Sequence, residues 1–72
     1  RLDSNVVMGG HVLAISSKNN IVDAAGRLVA LLGVDDLIIA EQGGALLVAH
    51  KSRAQDIKQV VEEVRKKHPD LV

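Results

Sequence analysis

The sequence predicts a mainly β fold: a short β-helix or solenoid-like stack of strand-turn-strand repeats, followed by one C-terminal amphipathic α-helix. Three observations point there. Apolar runs begin at a spacing of 15 to 16 residues, at Val6-Val7, Ile21-Val22 and Leu37-Ile38. Each is followed by a small-residue turn, at Gly9-Gly10, Ala24-Ala25-Gly26 or Gln42-Gly43-Gly44, and then by a second apolar run. Past Lys51 the short runs give way to apolar residues at three- and four-residue steps, the period of a helix face.

The β part spans about residues 5–50. Its second runs are Val12-Leu13-Ala14-Ile15, Leu28-Val29-Ala30-Leu31-Leu32 and Ala45-Leu46-Leu47-Val48-Ala49. Polar connectors, Ser16-Ser17-Lys18-Asn19-Asn20 and Gly33-Val34-Asp35-Asp36, separate the units. Short β-branched runs bounded by Gly, Asn, Asp and Ser are the strand signal, and a fixed short period is the signal of stacked repeats. In such a stack each unit buries its apolar face on the next. An antiparallel meander is the competing arrangement, because double-glycine and Asn-Asn turns also suit hairpins. In both, the ends of the sheet are unpaired and need covering.

The helix spans about residues 53–68. Ala54, Ile57, Val60, Val61 and Val64 make one apolar stripe, expected to pack on the β part. Ser52 with Gln55 fits a capping box, whose loss costs about 0.5–2 kcal/mol. Glu62 with Lys66 and Glu63 with Lys67 stand at i,i+4, each pair worth roughly 0.2–0.5 kcal/mol. Lys66, Lys67 and His68 suit the negative end of the helix dipole, and Pro69 stops the helix.

Seventy-two residues make one small domain. A chain of this size buries only about 60% of the surface its unfolded form exposes, so its own core is marginal. It has no cysteine and no Cys/His cluster to staple it. A covering surface, from a second copy or a further domain, is the remaining support. Nine basic and nine acidic residues cancel, and Phe, Tyr and Trp are all missing. This removes the basic footprint and the stacking platforms of a nucleic-acid binder, and the flat rings that usually meet sugars. The apolar runs fall short of the roughly 20 residues of a membrane helix, and Arg1-Leu2-Asp3-Ser4 does not open a signal peptide. The expectation is a cytoplasmic chain.

Several residue groups invite a chemical reading. Asp35-Asp36 resembles a magnesium or proton-sharing pair, but side chains adjacent on an extended strand point to opposite faces, and Asp at a strand start is ordinary turn chemistry. His11, His50 and His68 lack ligand spacing; His50 reads as a strand-end residue and His68 as a helix-end cation. Gly9-Gly10 and Gly43-Gly44 lack the spaced glycine and lysine of a phosphate loop. Ser16-Ser17-Lys18 reads as connector. Arg27 and Arg53 read as isolated cations. The sequence therefore assigns no catalytic, cofactor-binding or metal residue.

Residues 33–58 nevertheless carry a specific pattern: Gly33-Val34-Asp35-Asp36-Leu37, then Ala45-Leu46-Leu47-Val48, then Arg53-Ala54-Gln55-Asp56-Ile57-Lys58. This resembles the C-terminal segment of the mannose-1-phosphate guanylyltransferases, or GDP-mannose pyrophosphorylases, over roughly residues 5–66. Gly44 and Ser52 stand where that family usually has Asp. The resemblance implies a small β-helix-like C-terminal domain over residues 1–72, which supports dimerisation and packs on its own catalytic domain. It also implies a parent enzyme that uses magnesium to join mannose 1-phosphate to GTP. The glycine-rich loop and Asp-x-Gly-Ser-Trp stretch of the catalytic nucleotidyltransferase domain are missing from the sequence, so the chain itself is not the catalyst. Two alternatives accompany this reading. One is a connector to a following mannose-6-phosphate isomerase domain, with residues 66–72 as exit linker. The other is a free-standing oligomerisation module, against which Arg1 in place of Met weighs.

Overall fold

In the computed structural model, which describes residues 4–70, three strands run parallel and a fourth turns back. They are β1 (Val6–Ile15), β2 (Ile21–Leu32), β3 (Leu37–Gln42) and β4 (Ala45–His50), in the sheet order β1-β2-β3-β4. Residues 1–3 and 71–72, the start of the sequence and the end of the anticipated linker, lie outside the described part.

Parallel pairing of β1, β2 and β3 selects the stacked β-helix over the meander, because a meander would alternate strand direction. Val6 lies on Ile21 and Ile21 on Ile38, so the repeat is 15 and then 17 residues, and the third rung begins in register at Ile38, one position later than the sequence alignment placed it.

Two of the three anticipated turns are not turns between separate strands. Gly9-Gly10 and Ala24-Ala25-Gly26 lie inside continuous strands, where the β1–β2 register slips between Val7 and Gly9 and again between Gly9 and His11. Each strand bends there without reversing, so its second half keeps pairing in parallel, His11 with Leu28 through Ile15 with Leu32. Gly10 sits where the backbone of the next rung comes close. Its φ is +90°, and a Cβ there would stand 2.7 Å from the carbonyl oxygen of Arg27 on the next rung. Only the third turn is a hairpin. Gly43, at φ +61°, starts the two-residue reversal that pairs β3 with β4 antiparallel, Gln42 facing Ala45.

The connectors hold the rungs together through side chains. Asn20, fully buried, donates from Nδ2 to the Val34 carbonyl (3.1 Å) and accepts at Oδ1 from the Leu37 N–H (2.8 Å). Asn5 makes the same pair one rung earlier, donating to the Ser17 carbonyl (3.1 Å) and accepting from the Asn20 N–H (2.9 Å) and Nδ2 (3.0 Å). An asparagine side chain carries an acceptor and two donors, so it completes a rung whose backbone leaves the ladder at a corner. The corners themselves are left-handed: Asn19 and Asp36 both have φ +61°, a conformation in which Asn and Asp are enriched.

The core inside the coil is small. Val22, Ala24, Leu31 and Ile39 are its buried apolar residues, flanked by half-buried Val12, Ala14, Val29, Val34 and Leu37. Strand alternation sends Leu13, Ile15, Leu28 and Leu32 to the outside.

The C-terminal helix starts later, and is capped differently, than its sequence suggests. A 3₁₀ helix covers Lys51–Asp56, interrupted at Arg53 (φ −110°, ψ 19°), and α1 proper runs Ile57–Lys67. The cap is His50 and not Ser52. Its Nδ1 accepts from the Ser52 N–H at 3.1 Å and lies 2.8 Å from Ser52 Oγ, so no Ser52–Gln55 box forms. Asp56, the residue before α1, gives no side-chain cap. Among the described residues the helix ion pair is Lys66 with Glu63 at 3.7 Å, i,i+3, in place of the two expected i,i+4 pairs. The helix ends at His68, whose N–H donates to the Val64 carbonyl (2.7 Å), one residue before Pro69.

Because the fully buried Asn20 side chain bonds three partly buried groups on its neighbours, Asn20→Ala should lower the unfolding free energy by roughly 2–4 kcal/mol. Asn19→Gly, which keeps the left-handed corner and removes only exposed bonds, should stay within about 0.5 kcal/mol. Urea unfolding followed by far-UV circular dichroism measures both, and equal midpoint shifts would show that the buried asparagine is not what joins the rungs.

Candidate functional site

Among the described residues, three places bring side chains of interest together: the connector end of the coil, the Arg27–Glu41 contact, and the groove beneath the helix. The first two are polar and the third is apolar.

At the connector end, Asp35 Oδ1 accepts from the Lys18 N–H at 2.8 Å, and Asp36 Oδ1 accepts from Asn19 Nδ2. The two carboxylates therefore reach the same neighbouring connector and not opposite faces, because Asp36 is left-handed and not extended. Lys51 closes the cluster: its N–H donates to the Asp36 carbonyl (2.7 Å) and its Nζ to Asn19 Oδ1 (3.1 Å). Ser17, read from sequence as one of several connector residues, is 1% exposed. Its hydroxyl donates to the Ile15 carbonyl and accepts from the Val34 N–H, both at 3.0 Å, which commits both its hydrogen-bonding roles to stacking. The signal for Ser17 was the repeat itself, since the N–H it satisfies lies on the next connector.

Neither Arg27 nor Arg53 is isolated. Arg53 Nε donates to Asp56 Oδ2 at 2.7 Å across the 3₁₀ turn. Arg27 Nε stands 2.9 Å from Glu41 Oε1, with the Glu41 side chain 13% exposed and that of Arg27 60% exposed. The proximity is ionic without hydrogen-bond alignment, which leaves that buried oxygen without a donor. His11 lies exposed on β1, His50 caps the 3₁₀ helix, and His68 ends α1; no group of three or more His, Cys, Asp or Glu able to share a cation occurs among the described residues. Gly9-Gly10 bends a strand and Gly43-Gly44 closes a hairpin, and neither opens a helix that could hold a phosphate.

The third place is apolar. The stripe of α1 faces the β3–β4 hairpin across a groove of about 280 Å³, lined by Ile38, Ala40, Leu47, Ile57, Val61 and Val64 among others. The helix meets the sheet chiefly through its 3₁₀ lead, and none of its residues is buried; Ala54 is exposed and Val60 is 46% exposed. The stripe that the sequence placed firmly on the β part is thus only half covered. Outside the groove, Met8, Leu28 and Leu32 are 70%, 67% and 74% exposed. What this arrangement offers is apolar surface and strand edges, and its polar groups are spent on holding rungs together.

Comparison with known proteins agrees with this picture. Residues 10–64 match the model of the MannoseP isomerase/GMP-like beta-helix domain. The chain is 40% identical over 58 residues to the alginate biosynthesis protein AlgA of Pseudomonas aeruginosa, covering 81% of this chain and 12% of that protein. It is 36% identical over 59 residues to mannose-1-phosphate guanylyltransferase 2 of Escherichia coli O157:H7, with 82% and 12% covered. The crystal structure described as mannose-1-phosphate geranyltransferase from Thermus thermophilus superposes with a TM-score of 0.76 at 34% identity, over 90% of this chain and 20% of that one. The chain thus spans about an eighth of the length of these curated relatives.

If the polar cluster is structural, Ser17→Ala should cost about 1–3 kcal/mol by stranding the Val34 N–H. Asp35→Asn and Asp36→Asn, which keep an acceptor at exposed or half-exposed positions, should each stay within about 0.5 kcal/mol. Thermal melts with and without magnesium check this; a magnesium-dependent rise in midpoint that vanishes in the Asp36→Asn variant would make the pair a cation site.

Proposed function

The chain belongs to the MannoseP isomerase/GMP-like beta-helix domain family, and on that premise we propose that it is the C-terminal assembly and packing domain of a longer enzyme. The parent reaction is the formation of GDP-mannose from mannose 1-phosphate and GTP with release of pyrophosphate, which the names of the relatives support. The observation that carries the assembly role is the imbalance of surface. Four apolar residues are buried, whereas nine large ones stand exposed among the described residues. We read that imbalance as surface that a neighbour covers in the longer protein.

Two occupants follow from this reading: the catalytic domain of the same polypeptide, and a second copy in a homodimer. The magnesium of the parent reaction is assigned to the catalytic domain, because no group of three or more His, Cys, Asp or Glu that could hold a cation occurs among the described residues. Asp35 and Asp36 are engaged by the neighbouring connector, and Glu41 faces Arg27. No helix of the described residues is long and apolar enough to cross a membrane. We place the parent in the cytoplasm, where its nucleotide substrate is made. The family description, which joins mannose-phosphate isomerase to the guanylyltransferase, also favours a second reading in which the domain connects two enzymes.

The intact parent polypeptide should release pyrophosphate when given both GTP and mannose 1-phosphate, while the 72-residue chain alone should release none. Light scattering of the chain at micromolar concentration should give the mass of a self-associated species. A parent inactive with this substrate pair sinks the enzyme reading, and a stable monomeric chain sinks the self-association.

A further inference from the structure

Resting on the assembly reading above, we propose that the outer edge of β2 at residues 28–32 is a self-pairing strand, at which a second copy of this chain adds its own residues 28–32 antiparallel about a two-fold axis through Ala30. The observation behind it is a ladder that stops halfway. β2 has twelve residues, but β3 pairs only with Ile21, Val22 and Asp23 before it turns into the hairpin with β4. From Leu28 to Leu32 the only strand partner among the described residues is β1, on the other side. That leaves a row of backbone N–H and C=O groups directed at no strand, beside the place where the next rung of the coil would have lain.

The segment has the composition of an edge meant to be paired. Leu28-Val29-Ala30-Leu31-Leu32 carries no charge, proline or glycine, the devices that normally keep an edge from pairing. The other two edges differ in part: their apolar runs Val12–Ile15 and Ala45–Ala49 are likewise free of charge, proline and glycine, but each is bounded by features that disturb pairing. β1 has register slips at Gly9 and Gly10 and an exposed His11, and β4 runs into His50 and Lys51. The segment is also self-complementary. Antiparallel pairing about Ala30 sets Leu28 against Leu32 of the partner copy, twice by symmetry, and these are the two most exposed leucines among the described residues. Val29 and Leu31 stay directed into their own coil, half-buried and buried respectively, so pairing requires no rearrangement of the core. Arg27, tied to Glu41, bounds one end of the segment and Gly33 the other.

The absence of cysteine from the chain makes the test direct. A two-fold axis through residue 30 sets it opposite itself, with Cα atoms about 4.5–5.5 Å apart, within the range a disulfide spans. Under mild oxidation Ala30→Cys should therefore form a covalent dimer many times faster than Gln59→Cys, on the exposed face of α1. In sedimentation equilibrium, L28K/L32K, which sets lysine against lysine, should weaken dimerisation at least tenfold. L28K/L32E, which sets lysine against glutamate, should restore it. Circular dichroism checks that each variant keeps the fold, and the cysteine pair decides the matter should the lysine variants lose it. A wild-type dimer in which Ala30→Cys cross-links no faster than Gln59→Cys would overturn the edge proposal and leave the assembly reading standing. A wild-type monomer overturns both.

Discussion

The structure depends on asparagine side chains replacing backbone hydrogen bonds at the corners of the coil. In a parallel stack the strands satisfy one another, but each corner takes the chain out of the ladder and leaves N–H and C=O groups that must be paired if they are buried. Asn5 and Asn20 meet that need with the same geometry one rung apart, and Ser17 adds a hydroxyl bridge to Val34. Where the third asparagine would fall in the register stands Leu37. There the parallel ladder has one more strand, and the chain then reverses at Gly43. The coil ends where its corner chemistry ends.

That ending shapes the surface. Because β3 reverses after a short run, the second half of β2 keeps one neighbour in place of two, and Leu28 and Leu32 remain outside. The hairpin in turn offers a small apolar face to α1, but the helix is led in by a 3₁₀ segment interrupted at Arg53 and stands off the sheet above a groove. A core of four buried apolar residues cannot hold so many exposed ones inward. At roughly 1.5–3 kcal/mol for each fully buried aliphatic side chain, the uncovered residues represent more available burial than the core itself uses. The curated relatives of this chain are about eight times longer than it is.

The same economy extends to the polar side chains among the described residues. Several of the polar groups that looked chemically capable in the sequence are committed to the fold: Asp35 and Asp36 to the connector before them, Ser17 to two backbone groups, His50 to the first turn of the 3₁₀ helix, Arg53 to Asp56. Glu41, which the sequence did not single out, differs from these. Its buried oxygen has an arginine nearby and no hydrogen-bond donor, and it sits beside the point where the β2 ladder stops.

Local chemistry in the sequence was enough for the strand runs, the repeat, the end of the helix at Pro69 and the family pattern across residues 33–58. These depend on β-branched runs, turn residues and apolar period, all written within a few positions of one another. It could not separate a bend from a reversal. Gly9-Gly10 and Gly43-Gly44 are the same dipeptide, yet one continues a parallel strand under the carbonyl of Arg27 and the other closes a hairpin. Nor could it show that Ser17 and Asn20 are buried or that His50 caps the 3₁₀ helix in place of Ser52. The His50 cap is local, but it rests on side-chain geometry that residue spacing does not carry. The burial of Ser17 and Asn20 and the bend at Gly10 depend on what lies one rung away, about 15 to 17 residues along the chain, and only stacking the rungs brings those partners into contact.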